Sequence, residues 1–126
     1  MWNSYNANPI NKRVGDCTVR AISKITGQPW EDVYIGLAVK GYMLCDMPSA
    51  NVVWGAYLKD KGFTRNIIPD LCPACYTVED FCKEHPNGTF LLALQSHVVA
   101  VEDGDYYDTW DSGNECPIYY WQRKGD

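Results

Sequence analysis

The sequence is short of cationic side chains relative to acids and has only two histidines. Its 11 lysines and arginines stand against 16 acids, a formal net charge of -5. No stretch concentrates positive charge. Lys12-Arg13 is only a pair and reads as part of a solvated loop. Phosphate backbones are bound through basic patches, so nucleic acid is not an expected partner. No apolar run approaches the roughly 20 residues that a membrane-spanning helix needs, so a membrane is not expected either. The start, Met1-Trp2-Asn3-Ser4-Tyr5, lacks the cationic and apolar segments of a secretory signal, and the expected location is the cytoplasm. In that reducing setting the six cysteines read as thiols or metal ligands rather than as disulfides. Repeats, low-complexity tracts and internal linkers are also missing. Residues 1–126 are therefore expected to form a single domain.

What is present is a core-forming composition. Hydrophobic residues make up 46% and aromatic residues 13% of the chain, which suits one globular core. Residues 1–15 are rich in asparagine and read as an ordered arm of loop chemistry. Asp16 is a candidate N-cap for a helix that begins at Cys17, follows the spacing of Thr18, Ala21, Ile22 and Ile25, and ends at Gly27. Pro29 and the acids Glu31 and Asp32 start a second helix, with Gly41 as its expected stop. Pro48 or Ser49 opens a third, ending at Gly62. Phe63 to Ile68 reads as a strand closed by Pro69. Thr77-Val78-Glu79-Asp80 has the pattern of a capping box, opening a helix that His85-Pro86-Asn87-Gly88 ends. Thereafter the period changes to that of strands: Thr89–Leu94, His97–Glu102, Asp105–Trp110 and, beside Pro117, a last edge-like strand to Gln122. Asp103-Gly104 between two of these is a strong hairpin signal. Helices first and strands after predict an α+β fold, with N-terminal helices packed on a C-terminal antiparallel sheet.

Cys17 is the residue in this chain best placed for chemistry. A cysteine at the first helical position faces unpaired N–H groups and the positive end of the helix dipole, which favour thiolate over thiol. A buried cysteine that merely packs is the competing reading. A thiol nucleophile needs a base, and the base needs an orienting group. His85 sits in a turn beside Pro86, a poor mount for a rigid base. His97 opens a strand. With Asp103-Gly104 as a two-residue turn, Val99 faces Asp108 and His97 faces Trp110. His97, Val99, Asp108 and Trp110 then share one face of the hairpin. Asp108 becomes the diagonal neighbour of His97. Asp111 falls on the other parity unless a bulge intervenes, and stays open as a rival. A second cluster, Cys72, Cys75, Cys82 and His85, has zinc-like spacing. The apolar helix face that includes Cys82 argues against a metal site, and no metal or other cofactor is expected. Cys45 and Cys116 read as structural.

The chain resembles the papain-like cysteine peptidase superfamily at three short motifs. Asn11-Lys12-Arg13-Val14-Gly15-Asp16-Cys17 is similar to the segment of bacteriocin-leader peptidases in which a glutamine precedes an Asp-Cys pair by the same interval, and papain has the same glutamine-to-cysteine spacing. His97-Val98-Val99-Ala100-Val101 is similar to the family's histidine strand. Asp108-Thr109-Trp110 looks like papain's Asn-Ser-Trp. The order Cys, His, Asp matches as well. The resemblance implies a papain-like fold and a cysteine hydrolase that cleaves a peptide or isopeptide bond in a peptide or protein substrate. Cys17 would be the nucleophile, His97 the base, Asp108 the orienting group, and Asn11 an oxyanion donor beside the Cys17 N–H. Asn11 is one methylene shorter than the family's glutamine, and the interval from His97 to Asp108 is shorter than papain's. Two alternatives stand beside this reading: an acyltransferase using the same triad, and a non-catalytic α+β binding module that holds zinc.

Overall fold

The computed structural model describes residues 1–68 and 76–125. Along the chain the elements are β1 (Trp2–Ser4), α1 (Cys17–Thr26), α2 (Trp30–Leu44), α3 (Asn51–Asp60), β2 (Phe63–Ile67), α4 (Val78–Glu84), β3 (Thr89–Ala93), β4 (Val98–Glu102), β5 (Asp105–Asp108) and β6 (Tyr119–Arg123). The strands form a six-stranded sheet in the order β1-β5-β4-β3-β6-β2. The fold is α+β.

The central strands explain the layering. β3 is buried at all five positions, as expected of a continuous apolar run with both faces covered. Leu91 and Ala93 of β3, with Val98 and Ala100 of β4, join Ile22, Ile25, Leu37, Trp54 and Leu58 in a core shared with α1, α2 and α3. The alternate residues Phe90, Leu92, Val99 and Val101 form a second core with Val78, Phe81 and Cys82 of α4. The period of two therefore sends successive side chains into two different cores.

The first three helices lie on one face of the sheet and α4 on the other. Three expectations need correction. The sheet is mixed rather than antiparallel: β1 lies parallel to β5, with Trp2 opposite Tyr106 and Ser4 opposite Asp108. The N-terminal arm thus contains a strand, too short to show a period in its sequence. β6 is not an edge strand, since it pairs with both β3 and β2, and Pro117 lies before its first paired residue. Gly41 does not stop α2, which runs on to Leu44 and ends with Cys45 at φ 54°. A Cβ on Gly41 would sit 2.8 Å from the Asp46 carbonyl oxygen, so the glycine is there to admit the returning chain. Pro69, expected to close β2, lies outside the described residues.

The parts of the fold that matter most for the site follow local rules. Gly27 ends α1 in the left-handed region (φ 71°), its N–H donating to the Ser23 carbonyl. The β4–β5 turn has positive φ at both Asp103 (51°) and Gly104 (82°), the geometry of a two-residue hairpin loop. Glu102 pairs with Asp105 as that turn requires. α4 has the expected capping box between Thr77 and Asp80.

Candidate active site

α1 begins at Cys17, and its first residues point at the end of the β4–β5 hairpin. Cys17, His97 and Val98 line one groove, and the His97 side chain and the Val98 N–H both act on the thiol to favour its ionised form. The other side of the His97 ring is taken by Asp108: Nε2 lies 2.5 Å from Oδ2. Nδ1 is thus the ring nitrogen left for the sulfur. His97 precedes the first residue of β4, and Asp108 is the last of β5. They meet where the ladder stops. Val99, expected beside them, instead packs in the α4 core. Alternation along the hairpin named the pair but not the surface it occupies, because the chain bends at Gln95 and Ser96 just before the histidine.

Asp108 is only 2% exposed and is held by four donors. Ser112 Oγ donates to Oδ2 at 3.0 Å, and the Thr109 N–H donates to Oδ1 at 2.8 Å. Arg20 Nη2 approaches Oδ1 at 3.4 Å. His97 completes the set. Trp110 leans over the histidine, with ring centroids 5.1 Å apart. Asp111 is directed elsewhere: it accepts from the Tyr106 hydroxyl and from the Gly113 N–H.

Arg20 connects this acid to the start of α1. Its guanidinium, 7% exposed, donates to the Asp16 carboxylate as well as to Asp108. Asp16 also accepts from Trp30 Nε1 at 2.9 Å. Asp16 therefore caps α1 only through its backbone, whose carbonyl accepts from the Arg20 N–H; the side-chain cap expected from the sequence is absent. The result is a line of five ionisable groups, Asp16–Arg20–Asp108–His97–Cys17, in which each charge faces its opposite when the thiol is ionised. Buried charges persist where they are paired in this way.

The pairing sets the protonation state. Burial pushes the Cys17 thiol up, but the hydrogen bonds from His97 and Val98 and the positive charges of His97 and Arg20 outweigh it, and the net shift is downward. Burial lowers His97, while its bonds to Asp108 and Cys17 raise it to about 9. The thiol is thus shifted toward thiolate and the imidazole toward imidazolium, which biases the pair toward its charged form.

That pair has a consequence for stability. Alone, a histidine raised from 6.5 to about 9 contributes stability that is complete below 6.5 and lost as pH rises through about 9. A thiol lowered from 9.0 contributes stability present above 9.0 and lost as pH falls through its folded value. Above both 6.5 and the pH at which the folded thiol ionises, and below 9.0, the unfolded chain holds one proton on the sulfur, and the folded chain holds one on the imidazole. No proton is gained or lost, so the pair adds no slope to stability in that window. The melting temperature of Cys17→Ala should instead fall, relative to the unsubstituted protein, as pH rises from 7 to 8.5. Parallel melting curves for the two proteins across that range would show that the pair does not ionise.

The remaining predicted residues lie as follows. Asn11 is exposed, at φ 55°, with its side-chain oxygen accepting from Asn6 Nδ2 at 3.3 Å. It does not line the groove that holds Cys17, and the structure does not bring it to the thiol. The Cys17 N–H, as the first of α1, has no acceptor within the helix. Cys72 and Cys75 lie outside the described residues. Their proposed companions are engaged separately: Cys82 is buried in the α4 core, and His85 stacks on Phe81 with its Nδ1 2.9 Å from the Phe81 carbonyl oxygen. Arg20 and Ser112 were not singled out from sequence. A signal for Arg20 existed, because it stands four residues after Asp16 and three after Cys17, where a helix puts all three on one side. Ser112 had none, since its placement depends on the turn after Trp110.

The groove containing Cys17 and His97 has a volume of about 280 Å³. Gly15, Thr18, Ser49, Asn51 and Trp54 form its helical wall, and the chain from Ala93 to Val98 with Tyr119 forms its sheet wall. No helix among the described residues is long and apolar enough to cross a membrane. No protein-family model, curated protein or solved structure matches this chain.

Proposed function

We propose that this protein is a cysteine hydrolase of papain-like organisation that cleaves a peptide or isopeptide bond. The observation that carries the reading is the juxtaposition of Cys17, at a helix N-terminus, with His97 in one groove, the histidine being bonded in turn to the buried Asp108. A structural cysteine needs no ionised histidine, and a surface histidine needs no buried carboxylate.

In this reading the Cys17 thiolate attacks the substrate carbonyl carbon. The developing oxyanion is met by the Cys17 N–H, a donor of a kind worth about 3 kcal/mol in such sites. His97 Nδ1–H then protonates the leaving amine as the C–N bond breaks, giving an acyl-enzyme. Neutral His97 next takes a proton from water, whose oxygen attacks the thioester; expulsion of the thiolate releases the acid. Asp108 keeps the proton on Nε2 and stabilises the imidazolium. Arg20 acts as a positioning residue for Asp108. An acyltransferase would use the same steps with another acceptor in place of water.

The testing experiment is mapped alkylation. Iodoacetamide near pH 6, followed by mass spectrometry, should label Cys17 first of the six cysteines, ahead even of exposed Cys45. Labelling of Cys17 last would make it a packed structural residue and overturn the hydrolase reading. With a substrate in hand, turnover should decline as pH rises past about 9, where His97 loses the proton needed by the leaving group.

A further inference from the structure

The residues just before and after Cys17 have a second flank. On the side away from the sheet, beneath the N-terminal arm, lies a cavity of about 630 Å³. Its wall along α1 and α2 is mostly apolar, with Val19 and Leu37 buried, Trp30 and Tyr34 stacked at 5.1 Å and Ala38 one turn further along α2, while the arm brings Asn8 and Lys12 to its other side. The one carboxylate on its lining, Asp16, already accepts from Arg20 and Trp30. Gly15, Thr18 and Ser49 belong both to this cavity and to the groove of the thiol. The two spaces therefore adjoin along these residues.

Gly15 adds no side chain to this shared lining. A Cβ built on it meets nothing within 4 Å, and its φ lies outside the left-handed region. The backbone does not require glycine there, nor does close packing by the fold.

We infer that this cavity is a specificity subsite that receives one large apolar side chain, aliphatic or aromatic, of the peptide substrate bound at Cys17. The inference rests on the hydrolase reading for the identity of its occupant. The lining shared with the thiol groove selects a substrate side chain over an unrelated ligand, and the mostly apolar wall selects an apolar one. An apolar pocket discriminates against a polar isostere because the polar group is desolvated without a partner. Val14 and Ile10 on the arm, 42% and 78% exposed, extend the apolar surface over its mouth.

The test is a binding measurement that needs no turnover. Isotope-labelled full-length protein carrying Cys17→Ala is titrated with the capped pentapeptide Ala-Ala-Leu-Ala-Ala and with its asparagine counterpart. The Trp30 indole N–H and the Gly15 amide serve as reporters. The leucine peptide should shift both resonances and bind about 10-fold or more tightly than the asparagine peptide. Ala38→Phe, added to fill the cavity away from the thiol, should remove that preference. Equal binding of the two peptides, shifts confined to other residues, or a preference that survives Ala38→Phe would overturn the subsite. Alkylation of Cys17 in the unsubstituted chain reads the hydrolase proposal separately. Reactive Cys17 with no leucine preference rejects the cavity alone, and leucine preference with an inert Cys17 rejects the hydrolase alone.

Discussion

Asp108→Ala is expected to lower turnover on the order of 10²-fold or more while the protein stays folded. The carboxylate does three things that alanine cannot. It accepts the Nε2 proton and so selects the His97 tautomer that leaves Nδ1 facing the sulfur. It raises His97, which keeps the imidazolium available at neutral pH. It also fixes the ring's orientation through its own bonds to Ser112 and Thr109. Asp108→Asn should retain more of the melting temperature than of the rate, because an amide can preserve shape and some hydrogen bonds but not the charge. Asp111→Ala is the control. Its carboxylate is engaged with Tyr106 and Gly113, so its loss should leave the rate within a few-fold of normal. Rates measured with an acylating probe, beside melting temperatures, decide the matter. Abolished acylation in Asp111→Ala with normal acylation in Asp108→Ala would make Asp111 the third member, against the geometry.

The choice between those two aspartates shows what could be read from residues alone. The Asp103-Gly104 turn fixes the register of β4 against β5, and the register points to Asp108 as the neighbour of His97. Local signals of this kind also announced the start and end of α1 and the capping box of α4. The limits appear wherever a residue's role depends on chain remote in sequence. Asp16 has the composition of an N-cap, yet its carboxylate turns to Arg20 and Trp30, because a buried guanidinium and an indole N–H outcompete a helix end open to solvent. Gly41 looks like a helix stop, but its glycine serves the close passage of Asp46. β1 is three residues long and becomes a strand by pairing with β5, more than a hundred residues away. Asn11 keeps the right interval to Cys17, but interval does not determine direction, and its side chain is tied to Asn6.

Arg20→Met is expected to damage both the fold and the thiol, in ways that can be separated. The guanidinium is the only cation bonded to Asp16 and Asp108 among the described residues apart from His97. Its removal leaves two buried carboxylates short of a partner, a change of the kind that costs about 3–5 kcal/mol. A substantial fall in melting temperature is therefore expected, and on its own it would show only that Arg20 is structural. The second effect is electrostatic. The charge of Arg20 is one of the influences that hold Cys17 down, after burial, His97 and Val98. Without it the thiolate should form at higher pH, and the midpoint of the alkylation-rate profile should move upward. Turnover should drop about 10-fold or more as Asp108 loses the fork that helps to place it. Arg20→Lys keeps the charge without the fork. It should restore most of the alkylation midpoint but less of the turnover, since one ammonium cannot face two carboxylates with the same geometry. The profiles must be measured well below each variant's melting temperature, by competition of iodoacetamide with a free thiol of known reactivity. A lower melting temperature with an unmoved midpoint in Arg20→Met would confine Arg20 to holding α1 against β5. A midpoint that moves up in methionine and returns in lysine would make the guanidinium part of what keeps Cys17 ionised.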